Sequence, residues 1–233
     1  MVQLSYLLIG LGFLLSLVVQ GWLRSTYRRY GRVANSLDLP GARVAALLLD
    51  RNDLGHCRLE LHPGTLTDHY DPRTKTVRLS ERIALEPSVA SAAIAAHECG
   101  HAIQDATGYG PLRFRSAMLP LAQLGAQYGP WAVMAGYVLA VPTLVHLGFL
   151  TFGASLVFQV LSLPVEFNAS QRAKRQLQQL GFTATEDIEG AERVLRAAAM
   201  TYVANAATAM GHMLLVLVIA GRGLFKRWVS PAK

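Results

Sequence analysis

Residues 116–165, SAMLPLAQLGAQYGPWAVMAGYVLAVPTLVHLGFLTFGASLVFQVLSLPV, form a run of 50 positions without Lys, Arg, Asp or Glu. A helix that crosses a bilayer needs about 20 predominantly apolar residues, so this run predicts two crossings. Pro142 lies near its middle, and the uncharged stretch from Val138 to Phe149 offers a turn that meets no resistance to translocation. Residues 116–165 therefore read as a transmembrane helical hairpin. Two further uncharged runs, 2–23 and 197–221, are 22 and 25 residues long and supply one crossing each. The expectation is about four transmembrane helices: an N-terminal anchor in 1–23, the hairpin, and a C-terminal helix with a basic tail in 197–233.

Composition agrees with that reading. Only 16% of the 233 residues are charged and 52% are hydrophobic, whereas an ordinary soluble domain carries about 25% charge. A wholly soluble protein and a disordered chain are excluded. Two cysteines, Cys57 and Cys99, cannot build the disulfide framework of a small secreted scaffold. The net charge is +7, but its basic residues flank the apolar runs, as Arg24, Arg28, Arg29 and Arg32 do, and Arg222, Lys226 and Arg227. They are not interleaved with aromatics, so the charge marks membrane borders and no nucleic-acid partner is expected. In the first apolar run the positive charge follows the run, opposite to a cleavable signal peptide, so 2–23 is read as a retained anchor.

Two polar stretches remain, 24–115 and 166–196, and a hairpin between them returns both to one side. They hold 13 and 5 basic residues, against 4 after Gly221. On the basic-residue rule this side is cytoplasmic, although the four C-terminal basic residues point the other way. Within 24–115 a short helix is predicted over Gly41 to Arg51, where Val44, Leu47 and Leu48 recur at helical spacing. Cys57, Leu59 and Leu61 alternate with Arg58 and Glu60 as in a half-buried strand. A β-hairpin follows, Leu66 to Tyr70 and Lys75 to Leu79 around the type I turn signal Asp71-Pro72-Arg73-Thr74. After Pro87 an Ala-rich helix is predicted to run to about Ala106, with Gly108 ending it. In 166–196, Thr183 and Glu186 resemble a capping box that opens a helix toward Val194 and Leu195, and Pro164 is read as starting a new helical turn.

The Ala-rich helix contains His97-Glu98-Cys99-Gly100-His101. Residues four apart on a helix share a face, so His97 and His101 can aim two imidazoles at one metal ion, of which zinc suits nitrogen donors. Glu98 flanks that face without being a ligand. It is placed to accept a proton from a water that the metal polarises and to pass one to a leaving amine. Ten residues, Pro87 to Ala96, lead into the motif without charge, too few to span, so the site belongs to the polar region. A catalytic zinc commonly has three protein ligands and one open position. Glu166 is the first charge after the 50-residue run and is the leading third ligand; His56, His62, His69, His146 and His212 are rivals. His69 and Tyr70 lie on the hairpin strand before the zinc helix, where a side chain can stabilise an oxyanion beside an extended substrate. Cys99 reads as a buried packing thiol.

Three segments carry a resemblance to a known family: Asp68-His69-Tyr70-Asp71-Pro72-Arg73-Thr74-Lys75-Thr76-Val77-Arg78-Leu79, then Ala95-Ala96-His97-Glu98-Cys99-Gly100-His101-Ala102-Ile103-Gln104-Asp105, then Leu163-Pro164-Val165-Glu166-Phe167-Asn168-Ala169-Ser170. In this order they resemble the YugP-like membrane-associated neutral zinc metallopeptidases of bacteria, over nearly the whole chain. The resemblance implies a peptidase in a bacterial inner membrane, with Zn2+ held by His97, His101 and Glu166 and Glu98 as base. More distantly the chain resembles membrane peptidases of the HtpX and CAAX-protease type, in which the ligand Glu is followed four residues later by Asp. Here that position is Ser170, with Asn168 nearby, so a carboxylate that would orient a ligand histidine is missing.

The resulting expectation is a mainly α integral membrane protein with a small α+β zincin-like catalytic region, 24–115, and a polar helical region, 166–196, carrying the third ligand. It would hydrolyse peptide bonds in a polypeptide substrate, including a membrane protein, at an active site set against the lipid bilayer near its cytoplasmic surface. The alternatives are a non-catalytic scaffold or chaperone with a structural zinc, and a zinc hydrolase of a non-peptide bond.

Overall fold

A computed structural model describes residues 2–229. In chain order these form α1 (Val2–Tyr30), α2 (Gly41–Arg51), β1 (Arg58–His62), β2 (His69–Asp71), β3 (Thr76–Ser80), α3 (Glu81–Leu85), α4 (Val89–Ala106), α5 (Gly110–Val138), α6 (Pro142–Leu180) and α7 (Thr185–Val229). The architecture is mainly helical with one small sheet. The chain divides into two compact units, Met1–Val18, Phe114–Leu163 and Tyr202–Lys233 in the first, Val19–Arg113 and Pro164–Thr201 in the second.

In the first unit, α5 and α6 pair through small residues. A Cβ added at Gly125 would lie 1.8 Å from the Thr151 carbonyl oxygen, and one at Gly136 would lie 2.7 Å from the Val145 nitrogen. The second pair lies next to the turn and the first lies farther from it on both helices, which makes them antiparallel. Close backbone approach at small residues is how helices associate where lipid removes the hydrophobic drive. Ala140, at φ 57°, turns the chain, and Pro142 opens α6 where its missing N–H costs nothing. Large apolar side chains such as Trp131 and Leu150 stay exposed.

Three helices are long and apolar enough to cross a membrane, Tyr6–Tyr30, Pro142–Leu180 and Thr185–Val218. The expected fourth, α5, is 29 residues long but is not among them. Its uncharged residues include Gln123, Gln127, Pro120, Pro130 and four glycines, and freedom from charge is a weaker property than hydrophobicity.

The second unit has an ordinary core. α2 buries Val44, Ala45, Leu48 and Leu49, and β3 buries Val77 and Leu79. The sheet order is β1-β3-β2, with β1 parallel to β3 and β2 antiparallel to it, Tyr70 opposite Val77. The β2–β3 hairpin forms as predicted but with a shorter first strand, because Leu66 takes a positive φ. Asp71 fixes its turn by accepting from the Arg73 N–H at 3.0 Å and the Thr74 hydroxyl at 2.9 Å. On β1 the alternation fails at Leu61, which is 62% exposed, because β1 is an edge strand and only part of its inner face is covered. α3 is one short turn that periodicity over five residues did not reveal.

Ser88 caps α4, its hydroxyl accepting from the Ser91 N–H at 3.1 Å, and Gly108 leaves the helix at φ 65°. α6 runs unbroken through Pro164, which opens no separate element. α6 ends in a left-handed Gly181: the Gly181 N–H reaches the Gln178 carbonyl and the Phe182 N–H reaches Leu177, a Schellman cap closed by the buried Phe182 and Leu177. α7 opens at Thr185, two residues after the predicted Thr183 cap, with Asp187 accepting from the Ser36 N–H and hydroxyl.

Candidate metal centre

Ala92, Ala93, Ala95 and Ala96 let α4 run through the core with almost no side-chain bulk, so the helix is buried on most sides by the time it reaches His97. His97 and His101 then sit one turn apart, their rings edge to face with centroids 4.7 Å apart. α6 supplies the partner. Gly100 permits its approach, since a Cβ there would lie 2.7 Å from the Ala169 carbonyl oxygen. Glu166, 2% exposed, places Oε2 at 3.1 Å from His97 Nε2 and 3.5 Å from His101 Nε2.

One donor atom from each of His97, His101 and Glu166 falls within 4.8 Å of the others, and this is the one such cluster of His, Cys, Asp and Glu among the described residues. Donors about 2.0–2.2 Å from a tetrahedral zinc stand roughly 3.4 Å apart, close to both carboxylate–imidazole distances. The donor set, two imidazoles and one carboxylate, is also one that zinc accepts while keeping a position for substrate or water. The residues therefore fit the ion.

Each imidazole also meets a neutral side chain at Nδ1. Ser170 Oγ is 3.3 Å from His97 Nδ1, and Gln104 Oε1 is 3.0 Å from His101 Nδ1. Gln104 was not singled out from sequence, yet it is fully buried, and its i+3 spacing from His101 on one helix was the available signal. Asn168 and, one turn further along α6, Arg172 continue the network.

Glu98 is buried beside the cluster. Burial raises its carboxyl above the ordinary range, partly opposed by the neighbouring His97 and His101, while Glu166 adds to the rise. For His101, burial works to lower the imidazole, but the Glu166 carboxylate beside it outweighs burial and raises it. Cys99 points the other way, onto the Ala45 carbonyl of α2 at 3.7 Å, and burial pushes its thiol up, so it is a packing residue.

His69 and Tyr70 stand on β2 and are not members of the cluster. Tyr70 donates to Asp105 Oδ2 at 2.7 Å, an oxygen that Lys75 also contacts, which pins the hairpin to the end of α4. Burial, then that hydrogen bond, raises the Tyr70 phenol. His69 Nδ1 meets the Thr67 carbonyl at 2.8 Å, and its ring edges against His62. Of the rival ligands, His62 Nδ1 lies 3.0 Å from the Pro63 carbonyl, and none of His56, His62, His69, His146 or His212 joins the cluster.

Comparison with known proteins agrees with this geometry. Residues 5–221 match the family described as "putative neutral zinc metallopeptidase". A relative from Bacillus subtilis (strain 168), named "Putative membrane protease YugP", is 38% identical over 205 residues, covering 88% of this chain and 91% of the relative. No solved structure matches the chain. With the match extending across both compact units and through every segment that builds the His97, His101 and Glu166 cluster, the chain belongs to the YugP-like neutral zinc metallopeptidase family.

Proposed function

We propose that the protein is an integral membrane zinc endopeptidase in which His97, His101 and Glu166 hold the metal and Glu98 is the general base. The observation that carries this reading is the spacing of Glu166 Oε2 from the two imidazole nitrogens, 3.1 and 3.5 Å, with the buried Glu98 next in sequence to His97. When bound, zinc supplies a Lewis acid that acidifies water and polarises a scissile carbonyl. Glu98 takes the proton of the attacking water on a carboxylate oxygen and delivers it to the departing amine nitrogen. Its burial supports this role, because a carboxyl raised toward neutrality both accepts and returns a proton readily.

β2 is an edge of the sheet and offers extended backbone for a polypeptide to pair with, which would place substrate beside His69 and Tyr70. Tyr70 is engaged by Asp105, and His69 by the Thr67 carbonyl and Arg78, so either side chain would exchange a present bond to steady the oxyanion. α5 is the fourth crossing in this reading, with the polar regions facing the cytoplasm of a bacterial cell and the substrate a polypeptide that includes membrane proteins.

The test is incubation of the purified full chain with a denatured polypeptide, with and without a zinc chelator, beside Glu98→Gln. Cleavage that chelation abolishes, zinc restores and Glu98→Gln loses supports the proposal. Stoichiometric zinc with no cleavage of any polypeptide would favour a structural metal or a non-peptide bond.

A further inference from the structure

α4 carries both imidazoles and α6 carries the carboxylate, so the site exists only while two helices stay in register. We propose that Gln104 is the positioning residue that keeps them so, fixing the tautomer of His101 and the placement of Glu166 through a single amide. The inference rests on the metal site proposed above.

The argument starts at Arg172, a side chain that can only donate. Its Nε lies 2.8 Å from one side-chain atom of Asn168, which must therefore be the amide oxygen Oδ1. The same oxygen lies 3.0 Å from Gln104. An amide oxygen only accepts, so Gln104 turns its NH2 group toward it. The second hydrogen of that NH2 goes to the Val165 carbonyl at 2.8 Å, again an atom that only accepts. Both donors of Gln104 are thereby spent, and Oε1 is left facing His101 Nδ1 at 3.0 Å. An acceptor in that place requires the imidazole proton on Nδ1. Nε2 then keeps its lone pair on the side of Glu166 Oε2, 3.5 Å away, which is the tautomer that binds a metal there.

The other half of the role is mechanical. Val165 is the residue before Glu166, so the bond from Gln104 anchors the backbone that presents the carboxylate. One turn back on α4, Gly100 meets the carbonyl of Ala169, one turn on along α6. Positions 100 and 104 thus engage the carbonyls of 169 and 165, one pair closing the distance and the other setting it. With Gln104 fully buried, no water competes for these bonds.

Replacing either amide by a carboxylate then has opposite consequences. Gln104→Glu offers His101 a stronger acceptor but sets oxygens with no hydrogen against Val165 O and Asn168 Oδ1. Asn168→Asp keeps both of its bonds, because each uses that side chain only as an acceptor.

The experiment measures zinc affinity of the full chain in detergent by competition with a chromophoric chelator, and the ligand-field spectrum of the cobalt-substituted protein. Gln104→Glu and Gln104→Leu are expected to weaken zinc about ten- to a hundredfold and to alter the cobalt spectrum, with Asn168→Asp staying within about threefold of the parent. Zinc affinity of both Gln104 variants within about threefold of the parent overturns the proposal. So does an equal loss in Asn168→Asp and Gln104→Glu, which would show that the direction of the amide is irrelevant. Should Gln104→Leu fail to fold, the pair of carboxylate variants still decides, with helical circular dichroism confirming each. Because the readout is metal binding, a parent that binds zinc but cleaves nothing rejects only the peptidase reading, and a parent that binds no zinc rejects both.

Discussion

In Phe114–Leu163, glycines bring two helix backbones together while Trp131 and Leu150 face outward. In Val19–Arg113 the pattern is reversed: Leu48, Val77, Leu79 and Ile83 are buried, and charged side chains such as Arg193 of the same unit lie outside. The first arrangement suits a lipid solvent, where apolar exposure is free and association needs close van der Waals contact. The second suits water, where burying apolar area contributes roughly 25 cal/mol per Å2. The site residues all belong to the second unit, but the α4–α6 contact that makes the site, Gly100 on Ala169, borrows the glycine packing of the first. Two packing rules thus meet in one protein, and the contact that brings His97, His101 and Glu166 together follows the close glycine packing also seen in the first unit.

Glu98→Gln should lower kcat/KM for peptide cleavage by roughly a hundredfold to ten-thousandfold while leaving zinc stoichiometry at the parental value. Glu166→Ala should weaken zinc by tens of fold, about 2 kcal/mol or more, measured against a chelator; unchanged stoichiometry in dilute chelator would remove Glu166 from the ligand set. The glycines separate the two units. Gly125→Val drives a side chain into the Thr151 carbonyl and should lower the melting temperature by an amount equivalent to roughly 1–3 kcal/mol with zinc affinity preserved. Gly100→Ala, against the Ala169 carbonyl, should cost less stability and lower zinc affinity severalfold. Equal effects of both on zinc would erase the distinction between the units.

Smaller effects come from titration and from the surface. Burial raises the Glu98 carboxyl in the folded chain above its unfolded value. Its contribution to stability is therefore fully present below the unfolded value and lost as pH rises through the folded one. Without metal, Glu98→Gln should melt higher than the parent at neutral pH, and that gain should vanish in acid. Arg193→Ala, which breaks an exposed pair with Glu189 at 3.7 Å, should change stability by less than about 0.5 kcal/mol.

The parts of this molecule that sequence disclosed are those written in local chemistry. Pro87 and Gly108 bracketed α4 because helix-end signals act within one turn, and Glu166 stood out because a charge after fifty uncharged residues is rare; the Ser88 cap came only with the structure. The continuity of α6 through Pro164 was hidden, since a proline's lost hydrogen bond can be absorbed inside a long, packed helix. β1 pairing in parallel with β3 was hidden because strand partners are chosen by tertiary contact. Gln104 carried only the faint signal of its i+3 spacing from His101, and the partnership of Gln104 with Asn168 left none. Neutral amides announce themselves only when their partners, more than sixty positions away, are in view.

His97 and Glu166 are 69 residues apart in the chain. Between them a ribosome must make all of α5 and most of α6, several seconds of synthesis at about 5–20 residues per second. Until then the nascent polypeptide has only two of the three ligands proposed above. On the ligand set proposed above, the order of these residues along the chain leaves an interval in which the helices can be inserted before the site is complete.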